Sequence, residues 1–177
     1  RLNAVMKNTP KRKPFQSWNP QTAQEAADLS IAYSNATRHP IVLFHLNQTD
    51  FKNSISKAYA SFLDLSSVGD MIVDGKTYKK AEYRKQYFRT QKFASLNNNK
   101  EPETYRSQQS IDLIDCANKS SVTWTYRIFE SDEQIGKINN YGLTNPKNIK
   151  MTVQKPKTVG RAMVDAVCRG KYLHQSK

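Results

Sequence analysis

Val122, Trp124, Tyr126 and Ile128 alternate with more polar neighbours. That is the period-2 signature of a strand with one buried face. Just upstream, Tyr105 to Asp115 reads as a second strand, which ends at Cys116. Ile149, Met151 and Val153 alternate as well and predict a final strand. Earlier in the chain, Phe62 to Val68 reads as a strand followed by a turn, and Met71-Ile72-Val73 as a short strand. Asp74-Gly75 is a tight hairpin turn, because glycine takes the positive φ such turns need. Lys76 to about Phe88 is the returning strand. Residues 97–102 (Asn-Asn-Asn-Lys-Glu-Pro) read as a loop, and Ser131 to Lys147, with Gly136, Gly142 and Pro146, as a turn-rich connection.

Helical patterning sits at the two ends. Asn19-Pro20 is an N-cap followed by a proline at the first helical position. Ala23, Ala26, Ala27, Leu29, Ala32, Tyr33 and Ala36 carry that helix to about Arg38, before Pro40. A second helix is expected from Asp50, with Phe51, Ile55, Ala58 and Tyr59 on one face. The apolar block Ile41 to Leu46 fits a helix or a short strand, and helix is the favoured reading. Near the C-terminus, Val159, Ala162, Met163, Ala166 and Val167 recur at i, i+3, i+4, i+7 and i+8. Thr158 stands as the N-cap and Gly170 as the C-cap. The result is an α+β fold: an antiparallel meander with a C-terminal helix on the sheet and an N-terminal helical extension. The expected division is a basic flexible arm over 1–15, the helical extension over 16–57 and the sheet domain over 58–177.

The chain has 177 residues and a formal net charge of +13. That balance favours acidic partners through long-range attraction, without choosing among them. No run of 18 apolar residues exists to span a membrane as a helix. The chain starts at Arg1, not Met, and is read as a trimmed product, compatible with a removed export signal or lipid anchor. Its two cysteines, Cys116 and Cys168, close a strand and a helix. That placement suits a disulfide tying helix to sheet; two buried free thiols are the alternative in a reducing compartment.

Tyr105-Arg106-Ser107 leads a strand that ends in Asp115-Cys116-Ala117-Asn118. Trp124-Thr125-Tyr126 follows, and later Val159 to Cys168 closes in Ala166-Val167-Cys168. In these stretches the chain resembles the surface-adhesin protein E family, small exported proteins of Gram-negative bacteria. Ser66-Ser67-Val68 and the Asp74-Gly75 hairpin fit the family more loosely. The resemblance covers about Tyr59 to Cys168. It implies an antiparallel sheet with a C-terminal helix held by a Cys116–Cys168 disulfide, and a periplasmic or outer-membrane location. Some members bind host matrix proteins, partly through basic residues just before the Arg-Ser element. Here Pro102-Glu103 occupies that position, with only Lys100 nearby, so that route does not carry over.

Catalytic chemistry is hard to place. His39, His45 and His174 are scattered and make no metal-ligand spacing. Asp112 and Asp115 face opposite sides of one strand. No phosphate-binding glycine loop and no Gly-x-Ser-x-Gly elbow occur. The expectation is a protein that is not an enzyme and needs no metal or cofactor. The candidate surface is the basic, aromatic-laced strand, with Lys76, Lys79, Lys80, Arg84, Lys85 and Arg89 as partner-binding residues. Nucleic acid is set aside, because an exported disulfide-bearing protein rarely meets it. Trp124 and Tyr126 are expected to pack on one face against the C-terminal helix. Two functional readings follow. One is an envelope accessory protein that binds a protein partner in an assembly such as a secretion system. The alternative is a surface adhesin that binds host matrix proteins or sulfated glycans through a basic face. A homodimer is compatible with either.

Overall fold

The alternating segments close into one antiparallel sheet, seen in a computed structural model that describes residues 19–36, 41–46, 57–93, 103–129, 138–142 and 147–175. In chain order the elements are α1 (Ala23–Ala36), β1 (Ile41–Leu46), β2 (Tyr59–Val73), β3 (Lys76–Phe93), β4 (Glu103–Asp115), β5 (Ser120–Phe129), β6 (Ile138–Gly142), β7 (Thr152–Val153), α2 (Val159–Arg169) and β8 (His174–Gln175). The sheet order is β6-β5-β4-β3-β2-β1-β8, and β7 pairs with β5. Strands β1 to β6 therefore meander, each antiparallel to the next. The basic arm and residues 97–102 lie outside the described residues.

The expected hairpin turn is present. Asp74 and Gly75 both have positive φ, 50° and 77°, as a two-residue turn of mirror-image type requires. The strand before it is longer than its sequence suggests. Instead of strand, turn and strand, β2 runs unbroken with a bulge between Asp64 and Gly69 opposite Glu82 and Lys80. Asp64, Ser66 and Ser67, which read as a turn, hold the bulge together. Asp64 Oδ1 accepts from Ser66 N at 2.9 Å, Ser67 Oγ donates to the Asp64 carbonyl at 2.6 Å, and Glu82 N donates to Ser67 Oγ at 2.8 Å. Turn-forming side chains thus replace the missing ladder bonds without ending the strand.

Residues 41–46 form a strand, not the helix favoured from sequence. Ile41 and Leu43 join Ala60, Phe62, Phe88 and the α1 residues Ala26 and Tyr33 on one face. Val42 and Phe44 join Leu63, Ala81, Ile114 and the α2 residues Met163, Val164 and Ala166 on the other. A strand buried on both faces loses its alternation and reads as a continuous apolar run, which periodicity alone cannot tell from a helix. Tyr59, assigned to a helix face, instead begins β2 opposite Tyr87; residues 51–56 of that expected helix lie outside the described residues. The polar stretch 131–147 contains a strand, β6, and the predicted final strand shrinks to the two residues of β7.

Helix α1 starts later than Asn19-Pro20 suggests. Thr22 caps it: Thr22 Oγ1 accepts from Glu25 N at 3.1 Å, and the Glu25 carboxylate accepts from Gln21 N at 2.7 Å. Helix α2 keeps both predicted caps. Thr158 Oγ1 accepts from Arg161 N, and Gly170, at φ 63°, donates its N–H to the Asp165 carbonyl. Its buried residues are Met163, Val164 and Ala166, with Val159, Ala162 and Val167 packed at the margin. Trp124 and Tyr126 do not share a face. Ile111 pairs with Thr125 and Asp112 with Thr123, so Trp124 is the extra residue of a bulge. It packs with Val73, Tyr78, Leu113 and Val122 under Ile149 and Met151, away from α2.

Cys116 and Cys168 are joined, with Cα atoms 5.7 Å apart. The bond ties the end of β4 to the last turn of α2 across a separation of 52 residues. Closing a loop of that size restricts the unfolded chain by roughly 4 kcal/mol in the chain-entropy argument. Cys116→Ser should therefore lower Tm by several degrees in oxidising buffer and make Tm insensitive to reductant. Thermal melts of both proteins with and without dithiothreitol test this; equal Tm for oxidised and reduced wild type would refute the staple.

Candidate interaction surface

A pleated strand sends successive side chains to opposite faces, so the six basic candidates on β3 cannot form one patch. The register with β2 and β4 sorts them. Lys80 and Arg84 lie on the α1 face with Phe88, and Arg89 reaches the same side. Lys79 and Lys85 lie on the α2 face with Ala81 and Tyr83. Lys76 stands beside the hairpin turn.

Arg84 and Arg89 hold α1. Arg84 donates through Nη1 to the Tyr33 hydroxyl, and its guanidinium lies 5.8 Å from the Tyr33 ring centre. Arg89 donates to the Phe88 carbonyl at 2.8 Å and to the Pro20 carbonyl at 2.9 Å. Arg106, from the Arg-Ser element, donates to the same Phe88 carbonyl at 3.1 Å. Tyr33 is buried edge-on against Phe62, with ring centres 4.8 Å apart. Arg84 and Arg89 thus serve as internal brackets between the sheet and the α1 segment, and Arg106 ties β4 to β3.

Lys85 is half-buried on the opposite face, its Nζ 4.4 Å from the Tyr59 ring centre. His45, Tyr59, Tyr87 and Tyr105 form a cross-strand row there, with successive ring centres 5.7, 5.5 and 5.6 Å apart. Burial pushes the Lys85 pKa down, and the Asp112 carboxylate opposes that in part. Burial likewise pushes the Asp112 carboxyl up to about 7, against the Thr123 hydrogen bond and Lys85, which pull it down. Burial also raises the Tyr83 and Tyr87 phenols above their ordinary range. With its rings in tilted and edge-on pairs, this region stabilises the sheet.

The exposed cations gather elsewhere, at the end of the sheet where the β2–β3 and β4–β5 turns project. Lys76 and Lys79 are there, but each faces an acid: Lys76 Nζ is 4.0 Å from Asp115 and Lys79 Nζ 2.8 Å from Asp70. The neighbouring cations were not singled out by sequence. Lys119 closes the β4–β5 turn at φ 52°, and Lys157 precedes the α2 cap at φ 65°. Gln154 links the two segments. Its N–H donates to the Lys119 carbonyl at 2.9 Å and its side-chain amide to Ser121 Oγ at 3.0 Å. Lys150 and Lys155 flank β7 in the same segment. Lys119, Lys150, Lys155 and Lys157 are all exposed and make no ion pair among the described residues. Val153 lies among them at 66% exposure. No local sequence signal marks this rim, because its members come from two turns 31 or more residues apart that only β5–β7 pairing unites.

Of the histidines, His45 lies on β1 and His174 on β8, and His39 is outside the described residues. No group of three His, Cys, Asp or Glu poised to hold a metal occurs among the described residues. No helix among them is long and apolar enough to cross a membrane.

The family model for surface-adhesin protein E matches residues 56–169, from just before β2 to the last residue of α2 and nearly two thirds of the chain. No curated protein and no solved structure matches.

Asp112 supplies a test of the buried face. Its carboxyl keeps a proton up to about pH 7 in the fold but loses it near its ordinary value when unfolded. The native state thus holds the extra proton between these limits, and stability falls as pH rises through that window, by at most about 1.4 kcal/mol per pH unit. Asp112→Asn should gain stability over wild type at pH 8 and little at pH 4. Urea midpoints at both pH values check this; a parallel pH dependence in the two proteins would refute it.

Proposed function

The chain belongs to the surface-adhesin protein E family, and on that footing we propose that it is a non-enzymatic adhesin that engages an acidic host partner. Membership makes it an exported surface protein with an interaction role. The match favours this reading over that of an accessory to an envelope assembly. Attachment at the outer membrane with the rim facing outward suits the role.

The observation that carries the proposal is the exposed lysine rim formed by Lys119, Lys150, Lys155 and Lys157, joined at its edge by Lys76 and Lys79. Exposed cations without carboxylate partners keep their field for an incoming surface, and clustered charge raises association rates with acidic partners. The bracket arginines Arg84 and Arg89 are already engaged by α1 and Pro20. The half-buried Lys85 is turned onto Tyr59.

The triple variant Lys119→Glu, Lys155→Glu, Lys157→Glu should bind host cells or matrix-coated surfaces at least about tenfold more weakly, with unchanged Tm. Arg84→Ala with Arg89→Ala should lower Tm and spare binding. Adhesion assays with the full chain, paired with thermal melts, separate these outcomes; undiminished binding by the triple variant would sink the rim as the contact surface.

A further inference from the structure

Resting on the adhesin reading, we infer that the lysine rim recognises a linear sulfated polysaccharide and not the folded surface of an acidic protein. Three observations select that chemistry. The first is residue type. Lys119, Lys150, Lys155 and Lys157, which make no ion pair among the described residues, and the paired Lys76 and Lys79 beside them are lysines, whereas Arg161, which reaches Gln154, is taken up by Asp165 and the Gln154 carbonyl. Stable protein interfaces are anchored by Trp, Tyr and Arg and are poor in lysine at their centres. An ammonium is a compact, strongly hydrated point charge with no fixed fork, suited to sulfate groups whose orientation varies along a flexible chain.

The second is shape. The cations do not surround a pocket. They follow the ends of β3, the β4–β5 turn and β7, which are successive positions across the sheet. Strands β3 and β7 are three strand spacings apart, roughly 14 Å. A row of that length lets several negative groups of one extended chain be met at once. The exposed large apolar residues at this end, among the described residues, are Val153 beside the unpaired lysines and Ile72 beside the hairpin. They stand on β7 and β2, at opposite ends of the row, and make no continuous apolar patch to seat a protein partner.

The third is backbone placement. Lys119 and Lys157 both take left-handed φ, 52° and 65°, a conformation that costs a lysine about 1 kcal/mol or more relative to glycine. Gln154 connects the two positions through the Lys119 carbonyl. The two turns are thus held in one arrangement, which reduces the ordering that binding requires. Asp115, the acid at this end nearest the β4–β5 turn, is occupied by Asn118 at 2.8 Å and by Lys76.

The test is binding of the full chain to heparin across a salt series. If four lysines each displace a counterion as on a single-stranded polyanion, log K should fall with log salt at a slope of about −3. Lys119→Ala, Lys155→Ala, Lys157→Ala should weaken heparin binding at least tenfold and bring the slope to about −1, at unchanged Tm. Lys92→Ala, exposed near the far end of β3, should change neither. Unsulfated hyaluronan should bind at least tenfold more weakly than heparin. Phosphatidylglycerol vesicles bound as tightly as heparin, or heparin binding unchanged in the triple variant, would overturn the assignment. Host-cell adhesion that survives enzymatic removal of surface glycosaminoglycans would overturn it too, while leaving the adhesin reading in place. Absence of any host-cell adhesion would count against the adhesin reading itself.

Discussion

Pleating governs this molecule, because each strand must hand its neighbouring side chains to opposite faces. On β3 the constraint divides a run that is uniformly basic in sequence. Arg84 goes to one side, where it brackets α1 through Tyr33. Lys85 goes to the other, where it settles on Tyr59. Neither is left to meet a partner. The cations that remain available are those at strand ends, where turns and the β7 pairing bring separate segments side by side.

The same constraint explains the two-layered core. Strand β1 supplies Ile41 and Leu43 to the layer under α1, and Val42 and Phe44 to the layer under α2. Each helix needs a face to bury, and each face needs a helix to cover it, so β1 is where the two layers depend on one another. The family match begins at residue 56. The matched core thus holds α2, its staple and most of the sheet, while α1, β1 and β8 lie outside it. Strands β1 and β8 extend the sheet beyond β2, and Arg84 and Arg89 of β3 fasten α1 and the residues leading into it.

Electrostatics follows from position more than from composition. At the buried face, Asp112 and Lys85 both shift toward their neutral forms, because loss of water outweighs their mutual attraction. At the turn end, Asp115 is held below its usual range, chiefly by Asn118. Asp115 and Asp70 are engaged there with Asn118, Lys76 and Lys79, which leaves the other four lysines without an ion pair among the described residues. A net charge of +13 says only that some acidic partner is favoured; the turn geometry says where the charge is presented.

The strand signalled by Val122 to Ile128, the Asp74-Gly75 turn, the caps Thr158 and Gly170 and the placement of the two cysteines were all legible in the sequence, because each is a local signal tied to a short-range bond or a backbone angle. Hence the meander and the C-terminal helix could be stated from residues alone, whereas the cysteine pairing stayed open until the family resemblance implied it. Residues 41–46 were not legible, since burial on both faces erases the period that distinguishes strand from helix. Nor were the bulges at Trp124 and after Asp64, where one extra residue or a stitched turn changes which face later residues occupy. The lysine rim was invisible for a related reason: its members are adjacent only through β5–β7 pairing and the Gln154 bridge. Local chemistry determined which elements form. Pairing across the sheet decided which side chains meet, and with that which basic residues are structural and which are free to bind.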